Sequence, residues 1–117
     1  MKILIIAAHP DDEILGVGGT ILKHVQSGDD VKIIIMATGI MARRKSGFHN
    51  TSSYHLTDSE LLKMEKEIQL LKKDAFQAAK TLHVTNISFY DFPDNEMDSV
   101  PLLKIIKTIE NEIKNEK

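Results

Sequence analysis

The stretch Met1-Lys2-Ile3-Leu4-Ile5-Ile6-Ala7-Ala8-His9-Pro10-Asp11-Asp12-Glu13 decides how the chain is read. Residues 2–8 are an unbroken apolar run of strand length, the habit of a strand covered on both faces in a parallel sheet. Pro10 fixes φ and offers no backbone donor, so the strand stops there and the next residues leave the ladder. One histidine and three carboxylates then stand at the carboxyl end of the strand, where open α/β sheets build their binding crevices.

Spacing sorts these residues by role. His9 and Asp12 are three apart in a turn that enters a helix, so both can face one ion. An imidazole nitrogen with a carboxylate oxygen suits Zn²⁺ and also accommodates Fe²⁺, Mn²⁺ or Co²⁺. Asp11 lies between them and points elsewhere, the placement of a general base for metal-assisted hydrolysis. Glu13 falls in the first helical turn, where a carboxylate complements the helix N-terminus. The competing reading is a polar turn with a capping aspartate. It leaves several unshielded carboxylates together, which a cation would offset.

Downstream, the pattern alternates. Ile14, Val17, Ile21, Leu22 and Val25 recur at helical spacing up to Gly28. Gly16, Gly18 and Gly19 lie inside that helix, not in the strand-to-helix turn that a dinucleotide fingerprint needs. They read as positions of close packing on the sheet. Residues 31–37 form a second apolar strand. Residues 38–57 are irregular and leave from the same rim as His9, so they could cover the site. They contain Arg43-Arg44-Lys45, either a solvated loop or, through Arg44, a clamp for a phosphate-bearing substrate.

Thr57 or Asp58 opens a helix to about Leu82, with Leu61, Leu62, Met64, Ile68, Leu71, Ala75, Ala78 and Ala79 as its inner face. Residues 86–90 form a third strand ending in Asp91-Phe92-Pro93-Asp94. A last amphipathic helix spans 100–116, with Leu102, Leu103, Ile105, Ile106, Ile109 and Ile113 inward. The expected fold is α/β, a three-layer, Rossmann-like βαβαβα parallel sheet with right-handed crossovers. Its strand order 3-2-1 leaves the apolar first strand at an edge. Such an edge tends to self-associate, so a homo-oligomer, a dimer through that strand, is expected.

Ala8-His9-Pro10-Asp11-Asp12-Glu13, followed by Leu15-Gly16 and Gly18-Gly19-Thr20, resembles the opening of the LmbE-like family of zinc-dependent de-N-acetylases. Lys80-Thr81-Leu82-His83-Val84 and Phe92-Pro93-Asp94-Asn95 resemble a helix end and an Asp-containing loop of that family. The resemblance implies hydrolysis of the acetamide of N-acetylglucosaminyl-phosphatidylinositol or related glucosamine conjugates. It implies His9 and Asp12 as zinc ligands, Asp11 as the base, and Asp94 as a contact to a sugar hydroxyl. Two departures stand out. The family's third ligand is a histidine in an Asp/His-rich motif beyond the last helix, and this sequence ends at Lys117 before one. The family's arginine ahead of the Ala-Ala stretch falls where Leu71-Lys72-Lys73-Asp74 stands here. The expectation is one domain over residues 1–117 that corresponds to the N-terminal portion of a de-N-acetylase, inactive by itself. The alternative is a non-catalytic remnant or a metal- or sugar-binding module. His49 and His55 are the internal candidates for a third ligand.

Composition narrows the rest. The 117 residues are 42% hydrophobic and 27% charged, with a formal net charge of −2; this is ordinary for one globular domain and gives no reason to expect nucleic acid. Cysteine is absent, which removes disulfides and thiolate metal sites. The N-terminal apolar run is too short to cross a membrane and has no cleavage signature, so a cytoplasmic protein is expected.

Overall fold

The computed structural model describes residues 1–39, 57–94 and 96–115. In chain order these are β1 (Lys2–Ala7), α1 (Asp12–Gln26), β2 (Asp30–Ile35), α2 (Asp58–Thr81), β3 (Asn86–Phe89), a 3₁₀ turn (Met97–Ser99) and α3 (Leu102–Asn115). The strands are parallel in the order β1-β2-β3, with Lys2 opposite Asp30 and Lys32 opposite Asn86. The expected α/β sheet is therefore present, and β1 is an edge strand. Each strand ends slightly before its apolar run does, because the chain turns off the ladder to build the rim.

The central strand explains the core. Ile33, Ile34 and Ile35 are fully buried, since β2 has a neighbour on either side and helices on both faces. On one face Ile33 and Ile35 pack with Ile21 of α1, Ala79 of α2 and Val84. On the other, Ile34 and Met36 pack with Phe92, against Ile105 and Ile109 of α3.

Helix boundaries follow from caps. Thr57 accepts the Glu60 N–H on Oγ1 (3.3 Å), and Glu60 Oε2 accepts the Thr57 N–H (3.0 Å), a reciprocal capping box. At the other end His83 N–H reaches Lys80 O and Val84 N–H reaches Ala79 O, both at 2.9 Å. Helix α1 ends in the same paired bonds, Gly28 to Val25 and Asp29 to His24, each 3.0 Å.

Helix α1 starts at Asp12, with Glu13 in its first turn as expected. Two expectations need correction. The glycines of α1 are not contacts with the sheet: a Cβ at Gly16 or Gly19 would meet nothing within 4 Å, and one at Gly18 would meet only Ile14 of the same helix. They flank Val17, whose φ of −136° kinks the helix. Finally, the inner faces of α2 and α3 are narrower than their apolar stripes. Leu61 and Leu62 of α2 and Leu102, Leu103, Ile106 and Ile113 of α3 are all exposed. His24 of α1 is half-buried and pairs with Asp29 at 2.7 Å.

A candidate metal and hydrolysis site at the carboxyl rim

The sheet delivers three segments to one rim. His9-Pro10-Asp11 leaves β1, Thr38-Gly39 leaves β2, and Phe92-Pro93-Asp94 follows β3. Backbone bonds from Met36 to Ala7, from Ala37 to Ala8 and from Phe92 to Met36 (2.8–3.0 Å) extend the ladder past the strands and fix the relative heights of these segments.

The His9 ring is held through Nε2 and faces a second carboxylate with Nδ1. Its Nε2 lies 2.9 Å from Asp94 Oδ1, and the Gly39 N–H donates to the same oxygen at 2.9 Å. The Asp94 side chain is only 2% exposed, against 34% for His9. On the opposite edge of the ring, Nδ1 stands 3.8 Å from Asp12 Oδ2. That is too long for a hydrogen bond. Zinc bonds of about 2.0–2.2 Å to nitrogen and oxygen put two ligand atoms roughly 3.4 Å apart at a tetrahedral angle. The pair therefore fits a shared ion after a small closure. The Asp12 carboxylate is itself oriented by the His9 N–H, at 3.0 Å.

Asp11 sits between these two as an exposed residue in an uncommon backbone state, φ 144° and ψ −30°. Its N–H donates to Glu13 Oε2 at 3.0 Å. Glu13 is 1% exposed, and its other oxygen, Oε1, is buried with no hydrogen-bond partner among the described residues. Glu13 thus adds a buried carboxylate with an orphaned oxygen to the turn that carries Asp11 and Asp12, a donor chemistry compatible with a cation. A groove of about 270 Å³ opens at Asp11, lined also by Glu13, Leu15, Leu71 and Asp74. This is near the lower end of small-molecule sites, ~300–1,000 Å³.

Of the residues singled out in the sequence, His9, Asp11, Asp12 and Asp94 therefore come together on one rim. Arg44, His49 and His55 lie outside the described residues. Among the described residues no group of three or more His, Cys, Asp or Glu side chains is disposed to hold a metal ion; the set here stops at His9 and Asp12. Sequence reasoning missed Gly39 and the buried role of Glu13. A Gly directly after the second strand was a usable signal for Gly39. Glu13 carried no sequence mark that separated it from an ordinary helix-start carboxylate.

Comparison with known proteins fits this geometry. The pattern of the PIG-L family, GlcNAc-PI de-N-acetylase, matches residues 4–117. A diacetylchitobiose deacetylase of Thermococcus kodakarensis is 33% identical over 96 residues, 82% of this chain and 31% of that protein. A 1D-myo-inositol 2-acetamido-2-deoxy-alpha-D-glucopyranoside deacetylase of a Mycobacterium species (strain KMS) is 45% identical over 38 residues, 32% of this chain and 12% of its own. Among solved structures, the N,N'-diacetylchitobiose deacetylase of Pyrococcus horikoshii superposes with a TM-score of 0.61 at 26% identity, covering 82% of this chain and 31% of that one. The hydratase GalB of Pseudomonas putida shares the fold at 21% identity and a TM-score of 0.60, over 82% of this chain and 36% of its own. The chain thus spans about a third of the length of the Thermococcus kodakarensis relative. No helix among the described residues is long and apolar enough to cross a membrane. A parallel sheet whose rim gathers His9, Asp11, Asp12 and Asp94, in a chain matched along nearly its whole length, places this protein in the PIG-L (LmbE-like) de-N-acetylase family.

Proposed function

We propose that this chain carries the N-terminal catalytic portion of a zinc-dependent de-N-acetylase acting on N-acetylglucosamine-type conjugates. The observation that supports it most is the pairing of His9 Nδ1 and Asp12 Oδ2 across 3.8 Å with Asp11 between them in sequence. His9 and Asp12 would hold the ion, and zinc supplies Lewis acidity toward an amide carbonyl and its attacking water. Asp11 takes the proton of that water and returns it to the departing amine. The groove beside Asp11 receives the acetamido sugar. Arg44 is the candidate contact for a phosphate on the substrate.

A catalytic zinc ordinarily keeps three protein ligands and one open position. With only the two that the described residues supply, His9 and Asp12, zinc binding is weak and turnover low; His49 and His55 are the internal candidates for a third. A second reading, a metal- or sugar-binding module without turnover, is favoured by that same shortfall. We also propose that two copies associate through the exposed edge of β1.

Zinc titration by calorimetry, with His9→Ala and Asp12→Ala alongside and an assay for amine released from N,N'-diacetylchitobiose, separates these readings. One-to-one binding lost in both variants, with slow amine release that also needs Asp11, supports the enzyme. Binding without any release supports the module. Zinc uptake indifferent to both substitutions removes the assigned site.

A further inference from the structure

We infer that Asp94, seated on the Gly39 amide, is a positioning residue that fixes the tautomer and orientation of His9 and so presents Nδ1 toward Asp12. This rests on the proposed metal site and deepens it; it replaces a direct contact between Asp94 and substrate. A carboxylate accepts hydrogen bonds only. Asp94 Oδ1 already accepts the Gly39 N–H at 2.9 Å, so the 2.9 Å approach of His9 Nε2 places the ring proton on Nε2. In the neutral ring the lone pair then lies on Nδ1, on the edge that faces Asp12. A partner of this kind on the far nitrogen orients a ligating histidine and raises its basicity. Burial of Asp94 to 2% side-chain exposure shields that bond from water, which strengthens it.

Gly39 is part of the same device. Its φ of +81° is a conformation that side chains rarely adopt, and a Cβ there would lie 3.4 Å from His9 Cδ2. That distance is ordinary contact, so what glycine supplies is the backbone conformation that aims the amide at Asp94. One backbone donor, one buried carboxylate and one ring are stacked in series, each from a different strand end.

The test is nitrogen NMR of ¹⁵N-histidine-labelled chain, metal-free, at a pH where His9 is neutral, with Asp94→Ala, Asp94→Asn and Gly39→Ala. The expected result is a single Nε2–H tautomer for His9. Asp94→Asn, whose amide oxygen can still accept, retains it, and Asp94→Ala and Gly39→Ala shift it to a mixture. Zinc affinity by competition with a chromophoric chelator should fall by roughly 10–100-fold in Asp94→Ala. An Nδ1–H tautomer in the unmodified chain, or spectra unchanged in both Asp94→Ala and Gly39→Ala, overturns the inference. The tautomer is read without metal. Failure of zinc to bind would therefore count against the proposed function and leave this result standing on its own.

Discussion

Among the described residues, two other than glycine hold positive φ, Asp11 at 144° and His83 at 61°, and they do so for different reasons. Asp11 stands where the chain swings from β1 into α1, with its N–H taken by buried Glu13. A side chain held in so sparsely populated a region costs about 1–3 kcal/mol. Asp11→Gly should therefore be more stable than Asp11→Ala by roughly 1–2 kcal/mol in urea denaturation, although both lose the proposed base. Equal stabilities would mean that the turn relaxes without cost. His83 occupies the position after α2 that Gly28 occupies after α1, with the same pair of closing bonds. His83→Gly should gain about 0.5–1 kcal/mol in the same assay; a loss would show that the imidazole is needed there. That His9, Asp11 and Asp12 stand together just past β1 was legible in the sequence, because they are near neighbours at the end of an apolar run. The bond from His9 to Asp94 was not, since it joins positions 85 residues apart and exists only once the parallel order brings the ends of β1 and β3 to one rim.

At the scale of elements, α3 shows what periodicity leaves out. An apolar stripe reports how much surface a helix could bury, not how wide its partner is. A three-stranded sheet is narrow, so Ile105 and Ile109 pack on the core while Leu102, Leu103, Ile106 and Ile113 stay exposed. The surprise is Glu112, only 6% exposed. Lys32 of β2 approaches its Oε2 at 2.5 Å, and the Tyr90 hydroxyl donates to its Oε1. Burial alone would push this carboxyl up; the hydrogen bonds from Lys32 and Tyr90, with the lysine charge, more than offset that and hold it below the usual carboxylate range. Its stabilising contribution is thus present above the unfolded carboxylate pKa and is lost as pH falls through the lower folded value. Glu112→Gln should cost about 1–3 kcal/mol at neutral pH, with a gap from the unmodified chain that closes on acidification below that range. A gap independent of pH would assign the cost to packing alone. Nothing in the helical pattern marked Glu112, because its partners come from β2 and the end of β3.

For the whole molecule, the question is what covers the open edge. Met1 O accepts from Asp30 of β2, and Ala7 O from Met36 just past it. In a parallel ladder this parity turns the odd-numbered residues of β1 toward β2 and leaves the N–H groups of Leu4 and Ile6 facing outward. Ile6 is 47% exposed and Leu4 is only partly covered, so the edge presents outward-facing backbone beside apolar side chains, the combination that recruits another strand. A cavity of about 270 Å³ between this edge and the end of α3, lined by Ile3, Leu4 and Ile113 with Lys32 and Glu112, widens the apolar surface there. Sedimentation equilibrium should accordingly find a dimer whose dissociation constant rises at least tenfold in Ile6→Lys, because a charge on an edge strand opposes strand addition without touching the bonds to β2. The same substitution should leave the thermal transition of the dilute, monomeric chain nearly unchanged, as an exposed site away from the core predicts. A monomer at all concentrations would sink edge pairing. A dimer insensitive to Ile6→Lys would instead move the contact to the exposed leucines of α2 or α3.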